Sequence, residues 1–221
     1  LMSGLFALII GAISLRTRGV YFIMITLAFA QMIYFLSVSI EKYGSDDGLT
    51  IDARSDFGIP FYDLNDALTM YFTVFVLMVA CLLITRKMVN SRFGRVIRAA
   101  KSNDERMHTI GYPTYGYKLT AFVIAGMMCG LSGLLSANFE DFVSPDMMFW
   151  TFSGELIFIV VLGGMGTIMG PLGGAIIFLL LSEVLSNITN SWHLIFGPFL
   201  ILVVLFARGG VEGFLAKFEK S

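Results

Sequence analysis

The chain has little charge for its length. Asp, Glu, Lys and Arg make up 14% of the 221 residues, against 57% hydrophobic residues. Soluble domains carry about 25% charged residues, so a water-soluble globule is excluded and an integral membrane protein is indicated. Cysteine is scarce too. Cys81 and Cys129 are the only two, both inside apolar runs, where cysteine packs as a small hydrophobe rather than building a disulfide framework or a metal pair. His108 and His193 have no Cys or His at ligand spacing, so no metal site is expected. Ser153-Gly154-Glu155 lacks the Gly-x-Ser-x-Gly frame of a nucleophile elbow. Without a catalytic constellation, the chain is not expected to be an enzyme. Its net charge is −1 and its basic residues are confined to membrane flanks, which leaves no nucleic-acid footprint.

What the chain has is long apolar runs, at roughly 1–15, 19–40, 67–85, 119–137, 154–166, 172–186 and 194–207. A helical span needs about 20 residues. The second run meets that length, the third and fourth are near it, and the last three are short enough to be tilted, broken or re-entrant. The expected fold is an all-α polytopic bundle of about seven spans, a single transmembrane domain over 1–221. Leu1 in place of Met implies earlier spans before it.

Charge orients the bundle. Residues 86–118 hold 8 of the 15 basic residues, opposed only by Asp104 and Glu105, so this loop is expected on the cytoplasmic side. Residues 41–66, with Asp46 and Asp47 among seven acids, are then an external acidic loop. The C-terminus, with Arg208, Lys217 and Lys220, is then cytoplasmic, and 13 of the 15 basic residues fall inside. Within the basic loop, Ser102-Asn103-Asp104-Glu105 reads as a capping box, Gly111 stands where a helix ends, and Pro113 follows. The spacing predicts a short helix over 103–110. Asp104, Glu105, Arg106 and His108 supply polar contacts, and Met107 and Ile110 supply apolar anchors. Such a helix either docks on a partner or lies on anionic lipid, drawn by Arg95, Arg98 and the neighbouring cations.

Two glycine patterns stand out. Gly163-Gly164-Met165-Gly166 through Gly170-Pro171 cannot sustain a regular helix, and Gly166, Gly170 and Gly174 recur every four residues, a close-packing spacing. Gly126 and Gly130 form a second small-residue face, extended by Ala125, Cys129, Ser132, Gly133 and Ser136. This face serves either packing within the chain or a subunit interface. Thr26 and Gln31 in the 19–40 run, with the glycine break, are pathway candidates. Glu155 and Glu183, near span ends, either serve a path or helix-packing bond or reach interfacial water.

Several stretches in order resemble the permeases of branched-chain amino acid ABC transporters. They are Leu15 to Phe22 with Ile25 to Phe29; Gly44-Ser45-Asp46-Asp47-Gly48-Leu49; Arg92-Phe93-Gly94-Arg95 on to Asn103, Gly111-Tyr112 and Tyr117-Lys118-Leu119; then Ser144-Pro145, Trp150, Ser153-Gly154-Glu155 and the glycine run. Within that family the pattern is most similar to the LivM-type subunit. The resemblance covers residues 15–213 and implies a multi-pass subunit of the bacterial inner membrane that imports leucine, isoleucine and valine. It further implies a second homologous permease subunit, two ATPase subunits carrying ATP and Mg, an external solute-binding protein met by Asp46 and Asp47, and no cofactor on this chain. It places Arg95, Arg98, Asn103, Asp104, Glu105, Met107, Ile110 and Gly111 in an ATPase-coupling loop. Glu105 and Gly111 keep the Glu-to-Gly separation of that family's docking loop, while Arg106 and Met107 replace its two alanines. A urea or short-chain amide importer shares much of the pattern. An ion-coupled secondary transporter needs a coupling-ion site, for which only the glycine break is a candidate.

Overall fold

The computed structural model describes residues 1–40, 48–50, 66–164, 166–188 and 197–198. Residues Leu1–Phe149 form one compact unit, and the chain from Trp150 onward forms a second.

The first unit contains α1 (Met2–Ser14), α2 (Val20–Val38), α3 (Ala67–Asn90), α4 (Arg92–Ser102), α5 (Asp104–Thr109) and α6 (Thr114–Glu140). Of these, α2, α3 and α6 are apolar and long enough to cross a membrane. At about 1.5 Å per residue, α3 and α6 reach about 36 and 40 Å, more than a hydrocarbon layer of about 30 Å. Phe35, Phe72 and Leu134 are each more than half exposed. An apolar surface of this extent belongs against lipid rather than water.

α1 lies along α6, and glycines on both helices set how closely. Gly126 and Gly130 of α6 receive Ala7 and Ser3, while Gly4 and Gly11 of α1 receive Met127 and Phe122. A Cβ at Gly126 would stand only 2.5 Å from that of Ala7. The small face at Gly126 and Gly130 is therefore used within the chain.

The expected loop over 86–118 is mostly helix. α3 carries Arg86 and Lys87 on a helical extension to Asn90, and α4 follows after the single residue Ser91, whose hydroxyl accepts from the Gly94 amide at 3.4 Å. Gly94 is needed here because a Cβ would fall 2.6 Å from the Met88 carbonyl oxygen. One turn on, Arg98 Nη2 donates to the Val89 carbonyl at 2.9 Å, satisfying a carbonyl that the end of α3 leaves free. Phe93 and Tyr117, with rings 5.6 Å apart, hold α4 to α6.

Two contacts fix the relative ends of this unit. Asp104 pairs with Arg18 and Lys118, so the starts of α2 and α6 lie together with α5 at a basic end. At the opposite ends of α2 and α6, β1 (Leu49–Thr50) pairs antiparallel with β2 (Phe142–Val143), Leu49 facing Val143. A 3-10 turn, Pro145–Met148, follows, and Phe149 meets Tyr34 near the end of α2 at 5.5 Å. Of the acidic segment expected over 41–66, only residues 48–50 and 66 lie within the described residues.

The second unit is a helical hairpin of α7 (Trp150–Gly163) and α8 (Gly170–Ile188). Gly164 and Gly166 take φ of +115° and +118°, conformations closed to most side chains, so the glycine run is a turn between helices. Thr167 Oγ1 accepts from the Gly170 amide at 3.1 Å and steadies the start of α8. Leu162 and Phe178 are buried against Ile159, Ile177, Leu181 and Leu185. The four-residue glycine ladder expected at Gly166, Gly170 and Gly174 needs correction. Gly166 lies in the turn, and the close approach uses Gly163 against Gly170 and Gly174, where a Cβ on Gly174 would sit 2.7 Å from the Gly163 nitrogen. Of the seven expected runs, six contain helices; the seventh, apart from residues 197–198, lies outside the described residues.

Candidate functional site

Helix α5 is six residues long, too short to persist alone, so its ends and its inner face must hold it. The cap falls one residue later than the capping-box reading, because Ser102 is still the last residue of α4. Asn103 is extended, and its side-chain oxygen accepts from the Arg106 amide at 3.0 Å. Asp104 and Glu105 occupy the first turn, where the helix dipole favours acids. At the other end the Gly111 amide donates to His108 O at 2.9 Å and the Tyr112 amide to Met107 O at 3.1 Å. This is a Schellman motif, and the φ of +92° at Gly111 is why glycine stands there.

At 100° per residue, Asp104, Met107 and His108 share one face of α5, and Glu105, Arg106, Thr109 and Ile110 share the other. The structure turns the first face inward. Asp104 Oδ1 lies 2.9 Å from Lys118 Nζ, and Asp104 Oδ2 lies 3.5 Å from an Arg18 nitrogen. Thr114, buried in the first turn of α6, has its hydroxyl oxygen 2.9 Å from His108 Nε2. The Lys118 hydrogen bond holds the Asp104 carboxyl below its ordinary 3.8, with partial burial opposing and Thr114 and Arg18 assisting. Beside this cluster, Tyr115 Oη donates to the Ala12 carbonyl at 2.8 Å and ties the start of α6 to α1.

The opposite face is open. Glu105, Arg106 and Thr109 are exposed, Ile110 is 65% exposed, and Tyr112 beside it is 42% exposed. The residues expected to work together thus divide into two groups. Glu105 and Ile110 remain on the outer face, whereas Asp104, Asn103 and Gly111 build and fasten the helix. Met107 is half-buried. Arg95 is exposed on α4, and Arg98 is spent on the end of α3. Arg18, Thr114 and Lys118 complete this cluster, and the sequence reading does not place them in it. The 100° spacing that sends Asp104 inward was the signal that a partner had to exist.

Of the pathway candidates, the Thr26 hydroxyl bonds back to the Phe22 and Ile23 carbonyls of its own helix. Gln31 Nε2 is buried with no hydrogen-bond partner among the described residues. Glu155 is half-buried in the early part of α7, and Glu183 is exposed on α8. Gly163, Gly164, Gly166 and Gly170 form the elbow of the second unit, while Asp46 and Asp47 lie outside the described residues.

Residues 1–205 match the family described as the permease component of the branched-chain amino acid transport system. The chain belongs to this family. The chain is 26% identical, over 96% of its length, to the high-affinity branched-chain amino acid transport system permease protein LivM of Escherichia coli K12. It is 25% identical over the same share to the Salmonella typhimurium protein of that name. It spans 55% of the length of each. The L-arabinose ABC transporter permease protein AraH of Azospirillum brasilense is 30% identical over 52% of the chain and 36% of its own length. No solved structure matches the permease.

Proposed function

We propose that this chain is the transmembrane permease of an ATP-binding cassette importer for branched-chain amino acids, with α5 as the element that docks on separate ATPase subunits. The observation that carries this is the division of α5 into two faces. Asp104 and His108 fasten it to α6 and to the α1–α2 turn, while the side chains of Glu105, Ile110 and Tyr112 are left exposed on the outer side. A helix capped at both ends and pinned from within transmits a push, whereas a plain connecting loop absorbs it. Basic residues favour the cytoplasmic side, so the α5 end faces the cytoplasm, where ATP is hydrolysed with Mg on the partner subunits.

Leucine, isoleucine and valine are the proposed cargo because the matched family and the two relatives matched over 96% of the chain are described as serving branched-chain amino acid transport. The partners are a second permease, two ATPase subunits and an external solute-binding protein, the last expected to meet the acidic segment at Asp46 and Asp47. Gln31, whose buried Nε2 has no hydrogen-bond partner among the described residues, is the polar group offered to the path.

The test is uptake of labelled leucine into oriented vesicles holding the intact permease with its partner subunits, with urea as competitor. ATP is compared with an imposed ion gradient. ATP-dependent uptake that is lost in Ile110→Asp, with helix content unchanged, supports the reading. Uptake driven by the gradient without ATPase subunits refutes it, and preferential uptake of urea refutes the cargo.

A further inference from the structure

At the basic end, a cavity of about 1130 Å³ opens between the α1–α2 turn, the end of α4 and the start of α6. It is cationic: Arg16, Arg18, Lys101 and Lys118 line it, against the single carboxylate of Asp104. Asp104 is already engaged by Arg18 and Lys118. Arg16 and Lys101 are exposed, and neither has an ion-pair partner among the described residues. Gly19, also on the rim, has φ of +64° and open space where a Cβ would stand, so the turn leaves room for a bulky group.

The cavity is not polar throughout. Val20 and Ile23 form part of its wall, and they are 68% and 54% exposed at the start of α2, a helix long and apolar enough to span the membrane. A cationic floor where a span begins, continuous with an apolar wall along that span, has the two-part chemistry of an anionic phospholipid. A soluble phosphate needs only the floor. An acidic protein surface would find the wall a poor match.

We propose that this cavity holds the phosphate headgroup of an anionic phospholipid, with an acyl chain lying along Val20 and Ile23. Arg16 and Lys101, on its two sides and without an ion-pair partner among the described residues, supply the attraction. Basic recesses at the headgroup level recruit anionic lipid in this way. The proposal rests on the membrane placement of α2 and does not depend on the ATPase reading.

The experiment is titration of the intact permease in phosphatidylcholine bilayers with spin-labelled phosphatidylglycerol, reading its association constant relative to spin-labelled phosphatidylcholine. Phosphatidylglycerol is expected to be preferred, and Arg16→Gln and Lys101→Gln are each expected to lower the preference by about two- to five-fold, the scale for one cation near a membrane surface. Arg92→Gln, an exposed cation outside the cavity, is expected to leave it unchanged. An equal effect of Arg92→Gln, or no effect of the cavity variants, overturns the proposal. Displacement of the lipid by millimolar inorganic phosphate identifies a free-anion site and overturns the lipid assignment. Loss of the preference once the partner ATPase subunits are assembled assigns the cavity to a protein surface and overturns it as well; retention supports it.

Discussion

Asp104→Asn is the perturbation that most directly tests how α5 is held. The substitution keeps the side-chain shape and an accepting oxygen, and it removes the charge facing Lys118 and Arg18. The two ion pairs contribute unequally. The Lys118 pair is 2.9 Å long, with side chains 33% and 19% exposed, so it is partly withdrawn from water. The Arg18 pair is 3.5 Å long, and its arginine side chain is 71% exposed, so solvent screens it heavily. Hydrogen bonds to charged groups contribute about 1.5–3 kcal/mol when shielded, and exposed pairs about 0–1 kcal/mol. After allowance for partial exposure and the contact that Asn retains, the loss is about 1.5 kcal/mol. That corresponds to about a ten-fold shift toward detached α5. Hydrogen–deuterium exchange in the intact permease reads this directly, with the amides of residues 107–109 expected to exchange about ten-fold faster while the middle of α6 stays unchanged. In a double-mutant cycle with Lys118→Gln, the second substitution is expected to add little to the first. Full additivity, or unchanged exchange in α5, would refute the claim that this pair fastens the helix.

Three further outcomes follow from the same geometry. Because the folded carboxyl of Asp104 lies below its ordinary 3.8, its stabilising effect is fully present above that value and is lost as pH falls through it. Exchange in α5 is therefore expected to be flat from neutral pH down to about 4 after correction for intrinsic rates, and to accelerate below. Gly111→Ala forces a Cβ into a φ of +92°, at a cost of about 1–2 kcal/mol, and is expected to fray the last turn of α5 and lower uptake without changing total helix content by circular dichroism. Gly94→Ala places a Cβ against the Met88 carbonyl and is expected to cost about 1–3 kcal/mol, read as a lower thermal midpoint; an unchanged midpoint contradicts the tight α3–α4 corner.

The parts of the structure legible from sequence were those governed by local rules. Span placement follows from run length and the α5 stop from Gly111. The glycine break was visible as a helix interruption, because two positive-φ glycines and Pro171 leave the chain little choice. Tertiary partners were not legible. Gly126 and Gly130 announce a close neighbour but not which one, and Ser3, Ala7 and the matching Gly4 and Gly11 of α1 become visible only once the helices are side by side. Likewise residues 92–102 fall within the basic loop of the charge reading, which assigns no helix there. Yet Phe93, Gly94 and Ala100 give it a face that packs, and Arg98 bends back to finish α3.

The α4–α5 corner explains how a six-residue helix can act on a bundle. Asn103 separates the two helices by one extended residue, so a displacement of α5 does not pass rigidly into α4. α4 is independently fixed to the end of α3 through Gly94 and Arg98. A push on the outer face of α5 therefore leaves through its inner face, at Asp104 and His108. Those residues reach Lys118 and Thr114 at the start of α6 and Arg18 beside the start of α2. α1 moves with α6, because their glycines interlock and Tyr115 bonds to Ala12. Under the importer reading, α1, α2 and α6 are then the moving elements and α3 with α4 the frame, so Asp104→Asn should uncouple ATP hydrolysis from uptake while Arg98→Gln should weaken the frame and leave the ratio of the two unchanged.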